Sequence, residues 1–265
     1  MPYQLPELSI KQLFNEIYHI LIDSPKDTIE IWCEMYDIRF LKEFHELKLN
    51  EFVNNFEFIS IKKGPYNNYY AINKILFIIE AINILKLDIK YLSDLIDYNG
   101  FEYLIQEILT KNGYKTIKNY RFSDKSYFRK KTNQTKYEID VIGLEQNYLL
   151  LIDAKQWKKR DIYGIINKAA NLQYQRALVL QKNPEILSKL VQSLIGQRSN
   201  SKIKMPIIII PLMVTLEENW IKISENFVPL VSIYRFNCFL QELRKNLSYF
   251  RTLKISKITL QRQIF

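Results

Sequence analysis

Two short apolar segments constrain the fold of this chain more than any other feature. They are Tyr137-Glu138-Ile139-Asp140-Val141-Ile142-Gly143 and Tyr148-Leu149-Leu150-Leu151-Ile152-Asp153-Ala154-Lys155, separated by residues 144–147. Runs of this length, rich in Ile, Leu, Val and Tyr and joined by a short polar link, predict two strands of a hairpin. Side chains two apart on a strand share a face, so Glu138, Asp140 and Ile142 point one way and Tyr137, Ile139 and Val141 the other. On the second strand Leu149, Leu151, Asp153 and Lys155 are co-facial. A turn near Gln146-Asn147 puts Asp140 opposite or next to Asp153, and a slip of one residue would separate them.

The pattern around this hairpin is that of an α/β domain. Residues 101–111 carry Phe101, Leu104, Ile105, Ile108 and Leu109 at helical spacing, and Asn112-Gly113 supplies a left-handed stop. A strand is expected over 114–122, helices over 161–181 and 184–197, strands over 207–215 and 230–234, and a closing helix over 236–247. Before Asn99-Gly100 the character differs. Apolar residues recur at helical spacing over 9–23, a second helix candidate begins near Asp27, residues 71–85 are apolar almost all round, and 88–98 is a short amphipathic helix. Residues 56–62 alternate like a strand and Lys63-Gly64-Pro65 reads as a turn, a combination compatible with a winged helix. The expected organisation is a mainly helical domain over 1–98, binding nucleic acid or a partner, followed by an α/β domain over 99–265.

Composition narrows the function. The formal charge is +10, which favours a polyanionic partner. With two cysteines, Cys33 and Cys238, and two histidines, His19 and His45, no Cys/His zinc or iron–sulfur site can be built, and the cysteines are expected to be reduced. Only six glycines are present, and neither a GxxxxGK[ST] loop nor a GxGxxG turn occurs, which argues against an ATPase or a dinucleotide enzyme. The N-terminus lacks a secretory pattern, and the longest apolar run, 206–214, is about half of a membrane span. The expectation is an intracellular, cytoplasmic and nucleoid-associated protein without a membrane partner.

Two carboxylates at the end of an apolar hairpin repel each other unless a positive group lies between them. Asp140, Asp153 and the carbonyl of Ala154 are hard oxygen donors suited to Mg2+ or Mn2+. Lys155 would lie beside that cation, either as a base or as a stabiliser of developing charge. The bare [DE]-x-K pattern is weak, because Glu46-Leu47-Lys48 and Asp88-Ile89-Lys90 also satisfy it. Only Asp153-Ala154-Lys155 follows an apolar hairpin with another acid. A surface ion pair at a strand end is the alternative for Asp153 and Lys155.

These residues, with Gly100-Phe101-Glu102 and Gly113-Tyr114 before them and Gln156-Trp157 after, resemble the PD-(D/E)xK nuclease superfamily, in particular its archaeal resolvase-like and Mrr-like branches. The resemblance covers roughly residues 99–240, and Ile139 stands where the family's nominal proline would be. It implies a restriction-endonuclease-like core, a central mixed sheet flanked by helices. It also implies metal-dependent phosphodiester hydrolysis by Asp140, Asp153 and Lys155, with Glu102 in support from the first core helix. Glu107 ranks second for that role. Gln173 and Arg176 fall on the helix after the hairpin, where related nucleases place polar residues facing the site.

From 111 to 136 there are nine Lys or Arg against one acid, Asp124, interleaved with aromatic residues. Lys118, Arg121, Arg129, Lys130 and Lys131, continued by Lys158, Lys159 and Arg160 beyond the D-x-K, form a candidate phosphate-tracking surface. The resulting expectation is a DNA endonuclease of repair, recombination or restriction. A degenerate nuclease fold that only binds DNA and an RNA-processing nuclease are the competing readings. A homodimer and a separate ATPase or recognition partner are the expected protein partners.

Overall fold

The computed structural model describes residues 7–85, 89–123, 136–156, 163–196, 204–218 and 222–258. The chain divides into two compact units, 1–104 and 105–265.

In the first unit, α1 (Glu7–Ile22) buries Leu13, Phe14, Ile17 and Leu21, as its spacing predicts. The ring of Phe14 lies 5.1 Å from that of Phe58 and 5.3 Å from that of Phe77, an aromatic centre for the unit. Strand β1 (Glu30–Glu34) replaces the helix expected near Asp27: Ile31, Trp32 and Cys33 pair antiparallel with Ala71, Tyr70 and their neighbours. Tertiary pairing overrides the local pattern here, and Ile31 and Trp32 are themselves good strand formers. A 3-10 turn (Arg39–Glu43) and α2 (Glu46–Val53) lead to β2 (Ile59–Lys63) and β3 (Asn68–Asn73), in sheet order β1-β3-β2. Helix, strand, two short helical pieces, strand, turn, strand is the order of elements over 7–73.

The long helix expected over 71–85 begins only at Lys74. Residues 71–73 belong to β3, and the Asn73 side chain accepts the Leu76 amide at 3.0 Å, capping α3 (Lys74–Leu85). Lys74 is fully buried, its ammonium donating to the carbonyls of Pro25 at 2.6 Å and Leu95 at 3.3 Å. Helix α4 (Ile89–Leu95) follows, and then α5 (Tyr98–Lys111), within which the division between the units falls. Residues 1–104 hold ten Lys and Arg against sixteen Asp and Glu, a formal charge of −6.

The second unit is a mixed sheet flanked by helices. Strand β4 (Lys115–Ser123) pairs antiparallel with β5 (Lys136–Glu145), which pairs antiparallel with β6 (Tyr148–Lys155). Through α6 (Tyr163–Lys182) and α7 (Pro184–Ile195) the chain reaches β7 (Ile207–Thr215), which runs parallel to β6. Strand β8 (Leu230–Ser232) and then α8 (Ile233–Glu242), shorter than the expected 236–247 and shifted toward its start, precede β9 (Leu253–Ile255), a strand the sequence pattern did not announce. The sheet order is β4-β5-β6-β7-β8, with β9 on β7. Ala177, Val179 and Leu180 of α6 and Leu187, Leu190 and Val191 of α7 close a core over Leu149, Leu151, Ile207 and Ile209. Gly113 takes the left-handed conformation (φ 82°) that ends α5. Gly143 leaves room for Leu109 and Tyr114, whose carbons would stand 3.1 and 3.2 Å from an added Cβ. This unit carries 28 Lys and Arg against twelve Asp and Glu, a formal charge of +16.

Among the described residues no helix is long and apolar enough to cross a membrane.

Candidate active site

The hairpin register is the one that brings the acids together. Pairs run from Glu145–Tyr148 back to Val141–Ile152, and one further step places Asp140 opposite Asp153. The main-chain ladder does not take that step. Instead the Asp140 carboxylate accepts the backbone N–H of Ala154 at 2.8 Å, so the side chain satisfies a buried donor where the strands part.

Asp140 also sits where strict alternation fails. Ile139 and Ile142, three residues apart, pack in the same core cluster, and so do Tyr137 and Leu144. On the neighbouring strand the β4–β5 ladder steps from Lys118–Val141 to Tyr120–Ile139 over Asn119, whose φ is 53°. Strict alternation had put Ile139 and Ile142 on opposite faces. Opposite Asp140, the left-handed Asn119 interrupts the period-2 pleat of β4 at the same point.

Asp153 is the most enclosed acid of the hairpin, 2% exposed, and both its oxygens are held by cations. Lys155 Nζ lies 2.9 Å from Oδ2, and Arg176 Nη1 lies 2.6 Å from Oδ1. Arg176 comes from α6, 14% exposed in its side chain, and its Nη1 also donates to Gln173 Oε1 at 2.9 Å. Gln173, fully buried, donates through Nε2 to the Leu151 carbonyl at 2.6 Å. The i, i+3 spacing of Gln173 and Arg176 on one helix face announces a shared target, and that target is β6.

Of the residues singled out in the sequence, Asp140, Asp153, Ala154 and Lys155 thus come together at the end of the hairpin. Glu102 is buried on α5, 4% exposed, in the part of that helix belonging to the first unit, and Glu107 is half-buried in the second. Lys118 is half-buried on β4. Arg121 is exposed and paired with Glu138 at 3.1 Å, so a phosphate there would have to share it. Arg129, Lys130, Lys131, Trp157, Lys158, Lys159 and Arg160 lie outside the described residues.

Among the described residues no three His, Cys, Asp or Glu side chains gather as a metal cluster. The hairpin end offers instead two buried carboxylates in opposed register and the carbonyl of Ala154. That donor set fits a hard divalent ion that is held by one or two carboxylates and keeps part of its water shell.

Residues 99–211 match the family model of the nuclease-related domain, NERD. That family belongs to the restriction endonuclease-like, PD-(D/E)xK, superfamily, whose nuclease domains usually use divalent metals. Among solved structures the chain is similar to a protein of unknown function, AF1548, at 13% identity and a TM-score of 0.29, over 54% of this chain and 65% of that one. It is also similar to VC1899 from Vibrio cholerae, at 11% identity and a TM-score of 0.30, over 93% of this chain and 58% of that one. The chain therefore spans less than two thirds of the length of either. No curated protein matches it significantly. The family match, made on the segment that holds the hairpin and both of its acids, places residues 99–211 in the nuclease-related domain family of the restriction endonuclease-like superfamily.

Proposed function

We propose that the second unit is a divalent-metal-dependent DNA endonuclease acting in repair, recombination or restriction. The observation that carries this reading is the clustering of Asp140, Asp153 and Lys155 where the β5–β6 ladder ends, inside a nuclease-related domain. Asp140, Asp153 and the Ala154 carbonyl would hold Mg2+ or Mn2+, which when bound polarises a phosphodiester and lowers the pKa of water. Asp140 is fixed by the Ala154 amide and Asp153 by its two cations, so both carboxylates are oriented before substrate arrives. The Lys155 ammonium, half-buried beside Asp153, offsets the charge that grows on the scissile phosphate and can donate a proton from Nζ. The family resemblance assigns Glu102 a supporting role. The +16 charge of the unit draws nucleic acid by its phosphates, without reading sequence.

The test is cleavage of labelled single-stranded, duplex and branched DNA, and of a matched RNA, with Mg2+, Mn2+ or EDTA. Wild type is compared with Asp153→Ala and Lys155→Ala. Metal-dependent cutting of DNA lost in both variants, with binding retained, is the expected result. Binding without cutting under any metal would identify a degenerate nuclease fold, and preferential cutting of RNA would move the substrate class.

A further inference from the structure

Two protein cations occupy Asp153, and they differ in origin. Lys155 belongs to the D-x-K motif itself, whereas Arg176 reaches in from α6. Arg176 is held by a closed polar loop: Leu151 carbonyl, Gln173 amide, Arg176 guanidinium, Asp153 carboxylate, which leaves β6 and returns to it two residues on. Its Nε is buried without a hydrogen-bond partner, so the guanidinium still has a donor to place.

A divalent ion coordinated by Asp153 meets a guanidinium already on the same carboxylate, and the two repel at that range. Guanidinium is also the side-chain group whose planar fork best matches a phosphate, and an arginine released from the single carboxylate oxygen it holds here finds in a phosphodiester another anionic acceptor. We propose that Arg176 is the resident counter-ion of Asp153, competing with a divalent cation for that carboxylate and transferring to a phosphate of the bound nucleic acid when the cation enters. Metal and nucleic acid then bind cooperatively, each raising the affinity for the other by the same factor. Arg176 is in this sense a positioning residue, and the inference rests on the metal-nuclease reading above.

The experiment is a Mn2+ titration of the full chain followed by electron paramagnetic resonance. Alongside it, the anisotropy of a labelled phosphorothioate oligonucleotide is measured with and without Mn2+. Arg176→Gln is expected to bind Mn2+ roughly tenfold tighter than wild type, inside the range usual for coupled sites, and to lose the Mn2+-dependent gain in oligonucleotide affinity. Arg176→Lys, which keeps a charge but not the fork, is expected to fall between them, and it carries the test should the glutamine variant not fold. Mn2+ affinity unchanged or weakened in both variants overturns the inference. Asp153→Asn separates the two readings. If it abolishes Mn2+ binding while the Arg176 variants are unchanged, only the role of Arg176 falls; if it leaves Mn2+ binding intact, the metal site falls and the inference with it.

Discussion

Arg176 Nη1 stands 2.6 Å from Asp153 Oδ1, and this one contact ties the middle of α6 to the end of the strand that carries the D-x-K. Because Asp153 is almost wholly enclosed, removing its partner leaves a buried carboxylate served by Lys155 alone. Breaking a buried pair typically costs about 3–5 kcal/mol, and the partial exposure of the guanidinium reduces that here to about 2–3 kcal/mol for Arg176→Ala. Urea denaturation should show a lower midpoint with an unchanged slope. A midpoint equal to wild type would mean that the pair contributes nothing net to stability.

Asp140 presents a different balance, since its carboxylate is the acceptor for a buried amide. Asparagine can offer the same acceptor through its carbonyl. Asp140→Asn is therefore expected to stay within about 1 kcal/mol of wild-type stability while losing cleavage, whereas Asp140→Ala removes this acceptor of the Ala154 N–H and costs about 1–3 kcal/mol. Equal loss of stability in both variants would show that the hydrogen bond at 2.8 Å is not what fixes the strand ends.

The two thiols should react very differently. Cys33 is buried on β1 and its thiol is pushed up to about 12, chiefly by burial and further by the Asp37 carboxylate, while Cys238 is exposed on α8. At pH 8 a disulfide reagent should modify one thiol in the native protein and two after denaturation, the fast one disappearing in Cys238→Ser. Two fast thiols in the native state would place Cys33 at the surface.

Alkali should unfold the protein early. Burial also raises the Tyr70 and Tyr114 hydroxyls to about 12 from an ordinary 10.0, and Cys33 reaches the same value from 9.0. For each group the folded pKa exceeds the unfolded one. The associated stability is therefore complete below the unfolded value and is lost as pH rises from about 9 to about 12, where the unfolded chain releases protons first. Buried Lys74, held below its usual range by desolvation, acts in the opposite sense, but it is one group against three. Chemical denaturation across pH 8–12 should show this decline, flattened in Cys33→Ala; a flat profile in wild type would contradict the burial of these groups.

Lys74 itself fastens two carbonyls, those of Pro25 and Leu95, from inside the first unit. Lys74→Ala removes the donor and leaves a cavity, at a cost of about 2–4 kcal/mol. Thermal melting should show the loss, and a melting temperature within a degree or two of wild type would mean that the segment closes over the gap.

What was legible in the sequence follows from where the period of the chain is clean. The β5–β6 hairpin announces itself because its apolar residues, its polar link and its positive-φ residue Gln146 all act locally. Strand β1 was not legible: five residues in a polar setting acquire their conformation from β3, nearly forty residues later in the chain. The left-handed Asn119 opposite Asp140 was hidden for a related reason, since pattern arguments assume the pleat they are used to predict. Gln173 and Arg176 could be assigned to one helix face by spacing, but no spacing names the carboxylate that the face meets.

The placement of β6 also sets the order in which this site can be made. Its antiparallel neighbour β5 is joined to it by a two-residue link, while its parallel neighbour β7 arrives only after residues 156–206 have been closed into a loop. Local pairings form early and loop closure of that length comes late. On that order a chain emerging residue by residue displays Asp140 and Asp153 on a bare hairpin before Ile207–Thr215 docks and Arg176 of α6 reaches Asp153. The proposed metal site would on this ordering be completed last during folding and lost first when β7 peels away.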